Sequence, residues 1–283
     1  MPNHPVILNS TNKVSNAKYE YIFPSTQKFT AGTKVSLNSI SMYNSIFNVE
    51  AVRSNNKISI IWNANTSVQY DLTVSDGFYD ISSLNFQIQS FCILNDLYMI
   101  NDATGEYVYY INLLTNSTAY SAQLNIYPLP TTAEATALGY SIPVGASWTA
   151  PVSAKTPQLI IPVGTFGNLI GFQSATYPSA IQSTFQAILS TTTPQISPVN
   201  SILIGCNLIN SAYANPSHIF ASIPIKAGFG SLIDYESASP VATSISSGSY
   251  GKITIEFYSQ FFELLRLHDD EVTIILNIHT PDE

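Results

Sequence analysis

Val272-Thr273-Ile274-Ile275-Leu276-Asn277-Ile278 sets the fold class of this chain. Val272, Ile274, Leu276 and Ile278 share one parity, and Thr273 and Asn277 fall on the other. A helix would scatter this set around its axis, whereas a strand places every second residue on one face. The stretch therefore predicts a strand with one face on a core, and that face needs a second sheet opposite it. Upstream, Ile253, Ile255 and Phe257 alternate with Thr254, Glu256 and Tyr258 in the same way. So do Tyr120, Ala122, Leu124 and Ile126 with Ser121, Gln123 and Asn125, and Val68, Tyr70, Leu72 and Val74 with Gln69, Asp71 and Thr73. Further strands are expected over 57–62, 107–114, 159–170, 201–209 and 218–225. Between Val35 and Ile46 the phase slips: Val35 and Leu37 lie on one parity, Ile40, Met42 and Ile46 on the other. A bulge or a change of sheet would account for it.

Helices are few. Ile81, Leu84, Ile88 and Phe91 follow helical spacing, with Asp80 or Ser82 available as N-cap. Thr131 to Leu138 predicts a short second helix. Seven prolines between 139 and 200 (Pro143, Pro151, Pro157, Pro162, Pro178, Pro194 and Pro198) cut that region into short pieces. No repeat at a fixed period is present. Many strands, one or two short helices and long loops predict an all-β, two-sheet Greek-key sandwich, with the single jelly roll as its commonest large form. Residues 1–30, polar and without sustained period, read as an N-terminal arm. Residues 31–283 read as one jelly-roll domain, with 130–200 as a loop-rich insertion or outward-facing region.

Charge is the second guide. The chain has 283 residues, of which only 10% are charged, and a formal net charge of −8. From Ala135 to Ile225, 91 residues contain one formal charge, Lys155. Monomeric soluble proteins usually cover themselves with Lys, Glu, Arg and Asp, and depletion of charge marks the buried centre of protein–protein interfaces. This points to an assembly protein. The acidic balance argues against bulk nucleic-acid binding. Lys13, Lys18, Lys28 and Lys34 leave at most a weak contact with nucleic acid through the arm. No apolar run reaches the ~18 residues of a membrane-spanning helix. Met1-Pro2-Asn3-His4 followed by Val6-Ile7-Leu8 is too short for a secretory leader, so none is expected and the sequons at Asn9, Asn65 and Asn116 carry little meaning. Cys92 and Cys206, isolated in apolar surroundings, read as buried free thiols.

Chemistry-bearing patterns are scarce. His4, His218, His268 and His279 show no His-x-His or His-x-x-x-His spacing, so a cupin-like metal site has no local support. There is no Gly-x-Ser-x-Gly elbow and no phosphate-loop lysine, and Gly228-Phe229-Gly230 lacks the third glycine of a dinucleotide loop. Asp269-Asp270-Glu271 reads as a hairpin turn with solvated charges before it reads as a calcium site. Asp96, Asn101, Asp102 and Glu106 do not follow the EF-hand pattern. Trp62 and Trp148 fit core or subunit packing better than a sugar platform. No catalytic residue, cofactor or metal is expected, and the chain is read as a non-enzyme.

The residues also resemble a family. Tyr19-Glu-Tyr-Ile-Phe-Pro-Ser-Thr-Gln-Lys-Phe-Thr30 and Val35-Ser-Leu-Asn-Ser-Ile-Ser-Met-Tyr-Asn-Ser-Ile-Phe-Asn48 are similar to the N-terminal part of the penton (minor capsid) proteins of virophages and Polinton-type viruses. Gly77-Phe-Tyr-Asp-Ile-Ser-Ser-Leu-Asn-Phe-Gln-Ile-Gln89 resembles a strand-to-helix segment of that family. Phe166-Gly-Asn-Leu-Ile-Gly-Phe172 followed by Tyr177-Pro178 resembles another shared block. So does Ser201-Ile-Leu-Ile-Gly-Cys-Asn-Leu-Ile-Asn210 leading to Ile223-Pro224 and Phe229-Gly230. The blocks run in order through most of residues 19–280, and the mavirus-type virophage pentons lie nearest. The resemblance implies a structural capsid protein. Five copies would form each vertex of an icosahedral double-stranded DNA virus particle, surrounded by trimers of a double jelly-roll major capsid protein. It also implies synthesis in the cytoplasm of an infected cell. No clear extra domain is read from the sequence. A receptor- or glycan-binding jelly-roll module is the alternative, with Trp148 and Tyr140 as its only candidate residues.

Overall fold

A computed structural model describes residues 3–164 and 166–281. Chain contacts divide the protein into two compact units. One joins Met1–Phe47 to Val199–Glu283, and the other is Asn48–Pro198.

The first unit is an eight-stranded jelly roll. Its main strands are β1 (Asn3–Asn9), β2 (Lys18–Phe29), β3 (Lys34–Tyr43), β4 (Ser201–Cys206), β5 (Ile219–Pro224), β6 (Leu232–Glu236), β7 (Gly248–Ser259) and β8 (Val272–His279). One sheet has the order β1-β8-β3-β6, the other β5-β4-β7-β2, and every pairing is antiparallel. Each sheet thus interleaves strands from both ends of the chain, which is the double Greek key of a jelly roll. Val272, Ile274, Leu276 and Ile278 of β8 lie in one core with Ile253, Ile255 and Phe257 of β7. The two strands that opened the sequence reading therefore belong to opposite sheets and supply each other's facing layer.

The phase slip in β3 is a bulge. Ile275 pairs with Ser39 and Leu276 with Leu37, so Asn38 has no opposite number. The extra residue turns Val35 and Leu37 on one side, and Ile40 and Met42 on the other, toward the same core. A second irregularity lies in β2, where Ile22 pairs with Lys252 and Gln27 with Tyr250, leaving 23–26 looped out around Pro24, which has no N–H to give a ladder.

Two expectations about organisation are corrected. The arm expected over residues 1–30 is not one over residues 3–30: β1 and β2 are strands of the sandwich, and Val6, Leu8 and Tyr19 are buried in its core. In β1 only Val6 and Leu8 point inward, a period too brief to stand out among polar neighbours. β1 is also an edge strand, pairing only with β8, and so tolerates Pro5. Nor are residues 31–283 one jelly-roll domain. The connection from β3 to β4 holds an inserted unit that begins at Asn48, far ahead of residue 130. Its strands alternate like those of the jelly roll, and period alone does not say which sheet a strand joins.

The inserted unit has its own core. A four-stranded sheet runs in the order 175–177, 158–161, 57–63, 67–73. Three-stranded sheets run 186–189, 121–126, 111–116 and 140–141, 99–101, 107–108. Helix α1 (Ile81–Leu94) buries Ile81, Leu84, Ile88 and Cys92, and the Asp80 carboxylate caps it by accepting from Ser83 N at 2.6 Å. That backbone hydrogen bond holds the Asp80 carboxyl below its usual range. Helix α2 (Thr132–Leu138) opens on a reciprocal capping box between Thr131 and Glu134. The strand expected over 159–170 ends at Ile161, and Phe166–Ile170 forms α3 instead. Gly171 follows it at φ +77, and a Cβ there would stand 2.1 Å from the Thr192 carbonyl oxygen, so only glycine fits.

Candidate functional site

The histidines and acids do not assemble a chemical centre. His279 is held between Ser36 Oγ at 2.8 Å and Asn3 Oδ1 at 2.7 Å, across three strands of the jelly roll. His268 stacks on Phe47 with ring centroids 3.7 Å apart, and His218 meets Tyr258 edge-on. His4 is an exposed residue of β1. Among the described residues no group of three or more His, Cys, Asp or Glu is placed to hold a metal ion. Asp269-Asp270-Glu271 is a turn: Asp269 Oδ1 accepts from Glu271 N at 2.7 Å and Asp270 pairs with Lys13. Asn101 Oδ1 folds back onto the amides of Ala103 and Thr104, while Asp102 accepts from Ser141 Oγ at 2.6 Å.

The basic N-terminal residues are also engaged. Lys18 lies 3.0 Å from Glu256, and Lys252 lies 2.8 Å from Glu20 on the strand beside it. These pairs lie between β2 and β7 on the outside of the sandwich and tie Lys18 to the sheet surface, while Lys13 is tied by its pair with Asp270. Hydrogen bonds from Tyr258 and Lys18, and the Lys18 charge, outweigh burial and hold the Glu256 carboxyl below its usual range. Cys92 and Cys206 are free and buried, and burial pushes each thiol up to about 12.

The structure leaves many uncharged side chains of the charge-poor block 135–225 in solvent. Ser174 is exposed and donates to the Ile161 carbonyl at 3.1 Å, and Gln186 is half-buried on the edge strand 186–189. Thr165, the third polar position singled out by the charge pattern, lies outside the described residues. Val144, Val152 and Val163 are almost completely exposed, and Ile181, Phe185 and Leu189 are each 45% exposed. All six lie in the inserted unit, within the block that holds Lys155 as its one formal charge.

The same unit contains an aromatic pocket of about 370 Å3. Tyr109, Tyr127, Tyr140, Asn112, Pro128 and Leu138 are among its lining residues, and no charged side chain lines it. Asn112 Oδ1 accepts from Gln89 Nε2 at 3.0 Å, which fixes the amide. Beside Asn112 on the sheet runs an amide relay: Asn116 Nδ2 donates to Gln123 Oε1 at 2.8 Å, and Gln123 Nε2 donates to Asn125 Oδ1 at 2.7 Å. Tyr127 packs on Phe185 at 4.7 Å between ring centroids. Of the two residues the sequence offered for a sugar site, Tyr140 lines this pocket. Trp148 does not: it is buried against Trp62 at 5.2 Å, and its indole Nε1 donates to the Asp96 carbonyl at 2.6 Å. Sequence reasoning passed over Tyr109, Tyr127 and Asn112.

No protein-family model matches the chain, and no curated protein matches it. Solved structures do. The chain is similar to the mavirus penton protein at a TM-score of 0.44 and 9% identity, covering 99% of this chain and 98% of that one. It is similar to a chain of the Sputnik virophage structure at a TM-score of 0.40 and 14% identity, again covering 99% of this chain and 98% of that one. At those values the jelly-roll assignment stands on the strand order described above.

Proposed function

We propose that this protein is a structural minor capsid protein that forms the pentameric vertices of an icosahedral double-stranded DNA virus particle. It would be made in the host cytoplasm and reside in the virion, with copies of itself and the major capsid protein as partners and no catalytic role. The observation that carries this reading is the exposure of apolar and uncharged polar side chains in residues 135–198, a stretch with Lys155 as its one formal charge. Apolar groups such as Val152, Phe185 and Leu189 stand in solvent there among Ser, Thr and Gln, with almost no charge to keep the surface apart from its neighbours. Such a surface can lie against an identical subunit without burying an unpaired charge, and its hydroxyls and amides supply hydrogen bonds across the contact. A head-to-tail contact of this kind makes a ring where its rotation closes. The ordered sequence blocks that resemble virophage pentons make five the expected number.

Native mass spectrometry tests it. The wild-type chain should appear as a pentamer, and Ser174→Lys or Gln186→Glu should shift it toward monomers with unchanged circular dichroism. A wild-type monomer at high concentration, together with variants of unchanged mass, would refute a ring held by this surface.

A further inference from the structure

We infer that the inserted unit carries a binding site for a neutral saccharide, at the pocket formed by Tyr109, Tyr127, Tyr140 and Asn112. The inference goes beyond the capsid role and does not depend on it. Three features define the ligand class. The first is aromatic lining: four tyrosines, of which Tyr109, Tyr127 and Tyr140 are not fully buried, with Pro128 and Leu138 offer apolar faces for the C–H side of a sugar ring. The second is polar capacity left unused. Asn112 has its oxygen taken by Gln89, so its Nδ2 remains as a donor, and no hydrogen bond within the described residues engages the hydroxyls of Tyr109, Tyr127 or Tyr140. Tyr110, which also lines the pocket, shows what an engaged tyrosine does here. It is buried, and its hydroxyl is 2.9 Å from Met99 Sδ. Burial holds the Tyr109 hydroxyl above its usual range, so it remains a neutral donor.

The third feature is the absence of charge. No lysine or arginine lines the pocket to meet a phosphate, sulfate or acidic sugar, and no carboxylate lines it to meet an amine. Charge-free amides continue along the sheet from Asn112 through Asn125, Gln123 and Asn116. A lipid tail would leave the Asn112 Nδ2 and the hydroxyls of Tyr109, Tyr127 and Tyr140 without partners, whereas a polyhydroxylated ring engages both faces and hydroxyls. A volume of about 370 Å3 suits one or two sugar rings, near the lower end of small-molecule sites at roughly 300–1,000 Å3.

The test uses the full chain with lactose, maltose and N,N′-diacetylchitobiose as neutral probes. Sialyllactose, choline and a decaproline peptide serve as competing chemistries. Saturation-transfer NMR and calorimetry should show binding of at least one neutral disaccharide and none of the other three. Tyr127→Ala or Tyr140→Ala should weaken binding about tenfold or more, the loss of one stacked ring. Tyr140→Phe, which keeps the ring and the packing, should weaken it by about three- to tenfold, so a folding failure in the alanine variants leaves the result readable. No binding of any neutral disaccharide at about 10 mM would overturn the inference, since that is weaker than even a poor specific site. So would binding that the tyrosine substitutions leave unchanged, or a preference for choline, sialyllactose or decaproline. Native mass is read in the same samples, so loss of sugar binding and loss of the ring are separate outcomes.

Discussion

Leu8 and Ile7 are adjacent in β1 and face opposite ways: Leu8 is 0% exposed and Ile7 is 55% exposed. If residues 3–9 are a strand of the sandwich, Leu8→Ala removes a buried side chain from a core shared with Leu276 and Ile274. Leu8 lies opposite Ile274 in the ladder, and Val6 lies opposite Leu276. Truncation of a buried leucine costs about 2–5 kcal/mol. Ile7→Ala, on the solvent face, should stay within about 0.5 kcal/mol. Set against a typical total of about 5–15 kcal/mol, the first change is large and the second barely visible. The assay must see the jelly roll and not the inserted unit. Both tryptophans, Trp62 and Trp148, belong to the inserted core, so their fluorescence reports on that unit. Hydrogen exchange of the peptide containing Val272–His279 reports on the strand that β1 covers. Leu8→Ala should accelerate exchange there by a factor set by its stability loss, about thirtyfold or more, while Ile7→Ala leaves it within about threefold. Equal, small effects from the two substitutions would refute the placement and return residues 3–9 to the status of an arm.

Two further outcomes follow from charge and burial. Glu256 and Glu20 have folded-state carboxyls held below their usual range, Glu256 against its burial by Tyr258 and Lys18, and Glu20 chiefly by its hydrogen bond with Lys252. Their contribution is therefore present above the unfolded carboxylate value of about 4.3 and lost as pH falls through the folded values. Glu256→Gln should flatten the acid limb of a melting-temperature profile between pH 7 and pH 3, and an unchanged acid limb would contradict this. Cys92 and Cys206 should resist iodoacetamide at pH 8 in the native protein and both alkylate once it is denatured, as read by intact mass, because burial keeps both thiols protonated. A mass two hydrogen atoms lower without reductant would reveal a disulfide and contradict the fold.

The sequence carried the sandwich because its decisive strands are half-buried. β7 and β8 each contrast a buried parity with a polar one, and even the bulge at Asn38 left a readable change of phase. Helix ends were readable for the same local reason, since Asp80 and the Thr131–Glu134 box act within one turn. Partner choice was not local. The strand at 121–126 alternates as cleanly as β8, yet it pairs with 111–116 and 186–189 inside the inserted unit. The pocket was hidden by the same limit. Tyr109 and Tyr110 are neighbours in sequence and both line the pocket, yet Tyr110 is buried with the core while Tyr109 stays half-exposed, a difference that the local sequence does not announce. Trp148, read as core packing ahead of a sugar platform, is buried in the inserted core, where its indole N–H finds the Asp96 carbonyl, a partner that only the folded chain supplies.

The insertion also has a physical logic at its ends. A unit placed within a strand-to-strand connection must leave the host near the point where it returns, or the host's pairing is disturbed. Asn48, the first residue of the inserted unit, makes that closure with one side chain. Its Nδ2 donates to the Ile196 carbonyl at 2.9 Å and to the Tyr79 carbonyl at 2.7 Å, and its Oδ1 accepts from Tyr79 N at 2.9 Å. Asn55 Nδ2 holds the Asn48 carbonyl at 2.7 Å. The outgoing and returning segments are thus bonded to each other within the inserted unit, two residues before it ends at Pro198. The jelly roll needs only a short gap to be bridged, and all eight of its strands lie outside the insertion. A loop of about 150 residues without such a clasp would add loop-closure entropy to folding and leave strand pairing across it slow. With the clasp, the cost of closing the connection is met inside a unit that has its own core. The tyrosine pocket and the exposed uncharged side chains such as Val152 and Leu189 belong to that unit, and none of them is a core residue of the sandwich.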